Sequence, residues 1–147
     1  MKRFRFRLQA ALDHRQRNED RLRGEVARIR MRLSAETARL ADLGQVRERA
    51  ARAAARERLG RSTAETHRET ERYIEALDAN VQSQRNLIDV VERELQVRVA
   101  ETVAAMRDTR SLENLRGRQS EEHLRAALRE EQRDLDELAG IRAARAG

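Results

Sequence analysis

The residues best suited to chemistry are three histidines and two pairs of carboxylates, and their spacing argues against using them. His14, His67 and His123 are far apart in sequence. None belongs to an HExxH pattern or another pair that could hold a metal. Glu121–Glu122 and Glu130–Glu131 are the carboxylate pairs that acid–base catalysis could use. They fall in helical sequence rich in Arg and Gln, with no second wall to make a cleft that would shift a pKa. No glycine-rich loop could cradle a phosphate. Cysteine is absent, which removes disulfides, thiolate chemistry and cysteine-based metal sites, and is compatible with a reducing compartment. The expectation is a protein with no enzymatic activity, no cofactor, no metal and no small-molecule ligand.

Basic chemistry comes next. The predicted pI is about 11.1 and the chain starts MKRFRFR. Arginines interleaved with aromatics could grip phosphates and stack on bases. Beyond Phe6, however, arginines alternate with acids around the helix, and no zipper follows a basic region. Nucleic acid is therefore not the expected partner. KRFRFRLQAAL could also lie on a membrane surface as a short basic amphipathic turn. The simpler reading is that Phe4 and Leu8 close the end of a helical seam. The N-terminus lacks the uninterrupted apolar run of a secretory signal, and no stretch approaches the ~18 apolar residues of a membrane span.

These residues must sit on long helices. The 147 residues include no Pro, no Trp and only 2% aromatics, while 39% are charged. The hydrophobic share is also 39%, but 23 of those residues are Ala. A compact globule needs more large apolar side chains. A disordered chain would be richer in Pro, Gly and Ser. Ala, Arg, Glu, Leu and Gln are strong helix formers, and long helices sharing a narrow seam suit them best.

One break divides the chain. In RERLGRSTAETH, residues 56–67, Gly60 can end a helix in a left-handed cap. Ser62 with Glu65 has the spacing of a capping box, and Thr63 is an alternative cap. The predicted organisation is a single coiled-coil domain over 1–147, with helix one about 4–59, a turn at 60–62 and helix two about 63–140.

Helix one carries a heptad seam of Leu8, Leu12, Leu22, Val26, Ile29, Leu33, Leu40 and Leu43, interrupted by Arg15, Glu19 and Glu36. Helix two carries Leu77, Val81, Ile88, Val91 and Leu95. Its steps then become fours through Val99 and Val103 to Met106, which predicts a stutter. Folding the chain at 60–62 sets Leu43 against Leu77, Leu40 against Val81, Leu33 against Ile88, Val26 against Leu95, Leu22 against Val99 and Leu8 against Leu112. The facing indices add to 120 or 121 in every pair. The fold class is thus all-α, an antiparallel coiled-coil hairpin. Charge supports it: residues 1–62 hold 18 basic and 8 acidic side chains, residues 63–147 hold 14 and 18.

The arms are unequal. Helix one, starting near 4, covers helix two only to about residue 116. The rest is a C-terminal single-helix overhang of roughly 35 Å. LRAALREEQRDLDEL, residues 124–138, places Leu124, Leu128, Leu135 and Leu138 on one face of that overhang with no partner in the chain. Covering them could contribute on the order of 6–10 kcal/mol before association costs, so another protein or a second copy is expected to supply the cover. At the other end, residues 47–72 hold Leu59 among alanines and should pack loosely. Tyr73, at the edge of that region, either packs on alanines across the hairpin or contacts a partner.

The two ends carry a resemblance. FRFRLQAALDHRQRNED, residues 4–20, resembles the N-terminal signature of the flagellar FliJ family, and LENLRGRQSEEHLRAALREEQRDLDELAGIR, residues 112–142, resembles its C-terminal segment. Residues 45–110 match only as generic coiled coil. The sequence departs from the family pattern at Arg17, where an acid is usual, and at His123, where an aromatic is usual. The resemblance implies a small antiparallel coiled coil of the flagellar type III protein export apparatus. Such proteins act as a central stalk that binds the hexameric export ATPase and links it to the cytoplasmic domain of the export gate membrane protein, with a general chaperone role and contacts to export chaperones. It implies a place in bacterial flagellum biogenesis and motility, in the cytoplasm and peripheral to the inner membrane at the flagellar basal body. On this expectation Leu124, Leu128, Arg129, Arg133, Leu135 and Leu138 meet the ATPase, and Tyr73 and Leu77 face the gate. The competing expectations are a self-associating structural coiled coil, a chaperone holding unfolded clients along the leucine stripe, and the stalk of a needle-type secretion system.

Overall fold

A computed structural model describes residues 2–147. It contains two helices, α1 (Gln9–Leu59) and α2 (Ala64–Ala146), and the described residues contain no strand. The chain divides into two compact units, one formed by Leu22–Glu101, the other by the residues up to Arg21 together with Thr102–Gly147. Each is an antiparallel pair of helical segments, as the all-α expectation requires.

The unit Leu22–Glu101 is a helical hairpin. On α1 the inner stripe runs Leu22, Val26, Ile29, Leu33, Glu36, Leu40, Leu43, Arg47, Ala50, Ala54 and Glu57, with Glu25, Val46 and Ala51 part-shielded beside it. On α2 it runs Thr70, Ile74, Leu77, Val81, Gln84, Ile88, Val91, Leu95 and Arg98, with Thr66, His67, Leu87 and Val99 part-shielded beside it. The steps alternate between three and four, the spacing that keeps one stripe facing a partner helix. Glu36 lies across from Gln84, joined by a hydrogen bond of 2.6 Å, and their indices fall on the expected register. Ion pairs Arg32–Glu94 (3.6 Å), Arg47–Asp78 (2.8 Å) and Glu25–Arg98 (3.3 Å) run along the flanks. The hydrogen bond that Arg47 donates to Asp78, together with that carboxylate's charge, raises the pKa of Arg47. Glu101 by hydrogen bond and charge, then Glu25 by charge, raise that of Arg98. These pairs are part-exposed, so they orient the helices more than they stabilise them.

The turn differs from the expectation in two respects. Gly60 is not left-handed, since no described glycine has a positive φ. Instead α1 closes with the Gly60 amide donating to the Glu57 carbonyl (3.1 Å), and the Ser62 hydroxyl donates to the same oxygen (3.2 Å). With Ser62 so engaged, the capping box with Glu65 does not form. Thr63 is the cap: its hydroxyl accepts from the Thr66 amide at 3.2 Å.

In the other unit the start of α1 packs against α2 from Thr102 onward. Leu12 is fully buried. Arg15 meets Asp108 at 3.4 Å and Gln16 meets Glu113 at 3.3 Å. The predicted stutter is absent. The inner positions of α2 continue in heptad phase as Thr102, Ala105, Thr109 and Leu112, while Val103 and Met106 stay on the flanks. Threonine fits inside because its hydroxyl can bond its own helix, as Thr109 does to the Ala105 carbonyl at 3.0 Å.

The N-terminus holds a further correction. α1 starts at Gln9, and residues 2–8 are not helical. Phe4 and Phe6 alternate with Arg3, Arg5 and Arg7, and in an extended chain alternate side chains share a side. Phe6 is buried and Phe4 half-buried, while the arginines are exposed. Leu8, expected to close the seam against Leu112, is 40% exposed. An extended segment rises about 3.3 Å per residue against 1.5 Å for a helix, so this strap reaches farther along α2 than a helix would. It ends at His123, whose Nε2 donates to the Lys2 carbonyl at 2.8 Å and whose ring lies 5.7 Å from that of Phe4. The uncovered part of α2 therefore starts near 124, not 117, and it runs to Ala146, past Gly140, because the last residues are strong helix formers.

Candidate docking surface on the C-terminal helix

Past His123, among the described residues, only Lys2 comes up beside α2. Leu124, Leu128, Leu135 and Leu138 are each 52–56% exposed, as expected of leucines screened by their own helix alone. Their spacing of four, seven and three keeps them within one face. Ile141 extends the apolar edge by a turn, a residue that the sequence reading passed over. Glu131 sits within the stripe, between Leu128 and Leu135. Beside the stripe an open concavity of about 670 Å³ lies at the strap's end, lined by Lys2, His123, Ala126, Ala127, Glu130, Glu131 and Asp134. It has an alanine floor and an acidic rim, and it is too open to dehydrate a carboxylate.

The helix brings the four leucines together but does not bring Arg129 and Arg133 to their edge. At about 100° per residue, both arginines project from the side opposite the leucines, and both are exposed. A flat partner could meet one set or the other. A partner that surrounds the helix could meet both.

The second candidate pair is split by burial. Tyr73 is more than half exposed on the flank of the hairpin, whereas Leu77 lies in the seam. Only Tyr73 is accessible while the helices are paired.

His67 and His123 do separate, structural tasks, while His14 is exposed. His67 Nε2 lies 2.9 Å from the Ser62 hydroxyl. That hydroxyl already donates to the Glu57 carbonyl, so the imidazole is the donor and Ser62 is not activated as a nucleophile. His123 latches the strap and packs its ring against that of Phe4. The strap was not expected, and its signal in the sequence is the period-two run of Phe4 and Phe6. Among the described residues, no group of three or more His, Cys, Asp or Glu is placed to hold a metal. No described helix is long and apolar enough to cross a membrane.

The profile of the family described as flagellar FliJ protein matches residues 4–147. The chain belongs to the flagellar FliJ family. The match includes the middle, 45–110, where the resemblance at the two termini did not reach. No curated protein and no solved structure matches the chain. As a FliJ-family member it is a coiled-coil protein of flagellar protein export, of a structural or chaperone kind, and it associates with components of the export apparatus.

Proposed function

We propose that the chain is the stalk of the flagellar export ATPase, entering the pore of the hexameric ring with the uncovered part of α2. One observation carries this reading: a single helix bears four half-exposed leucines on one side and unpaired Arg129 and Arg133 on the other. A surrounding pore suits a helix with contact groups on opposite sides. It can bury the leucines against apolar walls and offer carboxylates to the arginines. The half-exposed Tyr73 would meet the export gate's cytoplasmic domain, with Leu77 holding it from the seam. The stalk would then couple ring to gate from the cytoplasmic face of the inner membrane at the basal body, and the leucine stripe, when free of the ring, would serve the chaperone role toward export chaperones or their clients.

Self-association draws on one feature of the same stripe. Two antiparallel overhangs would set Leu124 against Leu138 and Leu128 against Leu135. They would also bring Glu131 beside its own copy, a like-charge contact that opposes the pairing. The ATPase reading has no such conflict.

The test is retention of the purified export ATPase by the chain and by its Leu128→Asp/Leu135→Asp variant. The reading expects the variant to lose both binding and stimulation of ATP hydrolysis. Intact binding by a variant with unchanged helicity would refute it.

A further inference from the structure

We propose that the turn joining α1 and α2 is a tip that binds an anionic bilayer surface, with Leu59 inserted among the headgroups and Arg56, Arg58, Arg61 and Arg68 on their phosphates. Leu59 is 91% exposed, the most exposed of the large hydrophobic side chains among the described residues. It is the last residue of α1 and stands well round the helix from Ala54 and Glu57, which face the seam. It is therefore not the frayed edge of a core. No other large apolar side chain lies between 56 and 68.

The four arginines are all exposed, and none has a carboxylate within ion-pair distance among the described residues. Two acids lie in the same stretch. Glu57 is half-buried and accepts the Thr70 hydroxyl at 2.9 Å, so it is turned inward. Glu65 is the one exposed carboxylate against four guanidiniums. The tip thus combines an unmatched positive charge with one protruding aliphatic group.

That combination selects among partners. Guanidinium groups take phosphate oxygens in pairs, and an anionic lipid surface attracts clustered cations. An aliphatic side chain gains from leaving water only where the partner offers an apolar layer beneath its charges, which a bilayer does. A nucleic acid offers phosphates but wants aromatic or planar groups for its bases. The one ring in this stretch, His67, is engaged by Ser62. A protein interface needs on the order of 800 Å² from each partner, and a lone leucine on a tight turn presents far less apolar surface than that.

The chain has no Trp, so Leu59→Trp places a single reporter on the tip without disturbing the seam. Its fluorescence is read with phosphatidylcholine vesicles, with vesicles containing phosphatidylglycerol, and with double-stranded DNA. The expected result is a blue shift and protection from acrylamide on the anionic vesicles alone, reversed by salt. In the chain without the Trp reporter, Leu59→Asp should reduce co-sedimentation with those vesicles by about ten-fold or more. Arg58→Gln and Arg61→Gln should each reduce it about five-fold, and Arg61→Gln, outside both helices, leaves helicity untouched. An absent blue shift on anionic vesicles overturns the proposal. So does an equal shift on DNA, or co-sedimentation undiminished by Leu59→Asp, which would assign the binding to Lys2–Arg7 instead.

Discussion

Gln84 donates two hydrogen bonds across the hairpin to one residue, Glu36: one to its carboxylate at 2.6 Å and one to its backbone carbonyl at 3.0 Å. Gln84 is buried within a stripe of Leu, Val and Ile. A polar contact at an inner coiled-coil position specifies register at some cost in stability. A one-turn slide of either helix would set Gln84 against Leu33 or Leu40 in place of Glu36, and so break the contact to the carboxylate.

Gln84→Ala should therefore lower stability by about 2 kcal/mol in urea unfolding, since it strands a part-buried carboxylate. Replacing both residues by Leu should restore stability or exceed it while loosening register. The check is cross-linking in this cysteine-free chain. Cysteines at 40 and 81 should join readily in the otherwise unaltered protein, and a pair at 40 and 88, one heptad out of register, should gain yield only beside the double leucine change.

The register was readable because large apolar residues mark both stripes from Leu22 to Leu43 and from Leu77 to Leu95, and a single turn position aligns them. What escaped the sequence is where inner positions are not marked by large apolar groups. Thr102, Ala105 and Thr109 hold the seam while Val103 and Met106 ride its flanks. Apolarity pointed to the valines, whereas the helix itself hides threonine's hydroxyl. The turn was located but its cap was not settled, because Ser62 and Thr63 are both favoured N-cap residues, and the choice depends on the Glu57 carbonyl reaching Ser62. The strap was missed because Phe4 and Leu8 were fitted to a helical seam, whereas the alternation of Phe4 and Phe6 has period two. Of the candidate site, the leucine face was legible from spacing alone. The opposed placement of Arg129 and Arg133 was also implicit in helical spacing, and the cover that His123 and the strap bring to residue 123 was not.

Exposure separates the docking stripe from the core. Leu128→Asp with Leu135→Asp should leave thermal and urea midpoints within about 0.5 kcal/mol of the unmodified chain, as surface changes do. Leu12→Ala, at a fully buried site, should cost about 2–4 kcal/mol. Equal destabilisation by both changes would mean that the stripe is covered in solution, and sedimentation would then show whether a second copy covers it.

The strap should detach when its latch is cut. His123→Ala removes the ring against Phe4 and the donor to the Lys2 carbonyl. Trypsin should then cleave faster after Arg5 and Arg7, with the global unfolding midpoint unchanged, because the strap can open as a local unit. His123→Phe keeps the ring and loses the hydrogen bond, so its cleavage rate should fall between the two. Cleavage unaffected by His123→Ala would show that Phe6 alone holds the strap.

Packing along the hairpin predicts a gradient of opening. Near Leu22 to Leu33 the seam is filled by Leu, Val and Ile, but toward the turn Ala50, Ala54 and Thr70 take the inner positions. Alanine removes far less apolar area from water than leucine, at about 25 cal/mol per Å². The turn end therefore has less to lose on opening, even though alanine is the best helix former. Backbone amides of 50–57 and 66–72 should exchange with solvent at least about ten-fold faster than those of 84–95, because exchange follows the free energy of local opening. Ala50 is only half-buried, so Ala50→Leu can extend the apolar stripe without forcing the helices apart, and it should slow exchange on both sides of the turn. Uniform protection along α1 would mean that helix propensity, not the seam, holds this end. A slowing confined to α1 would mean that the added leucine fails to reach across to α2.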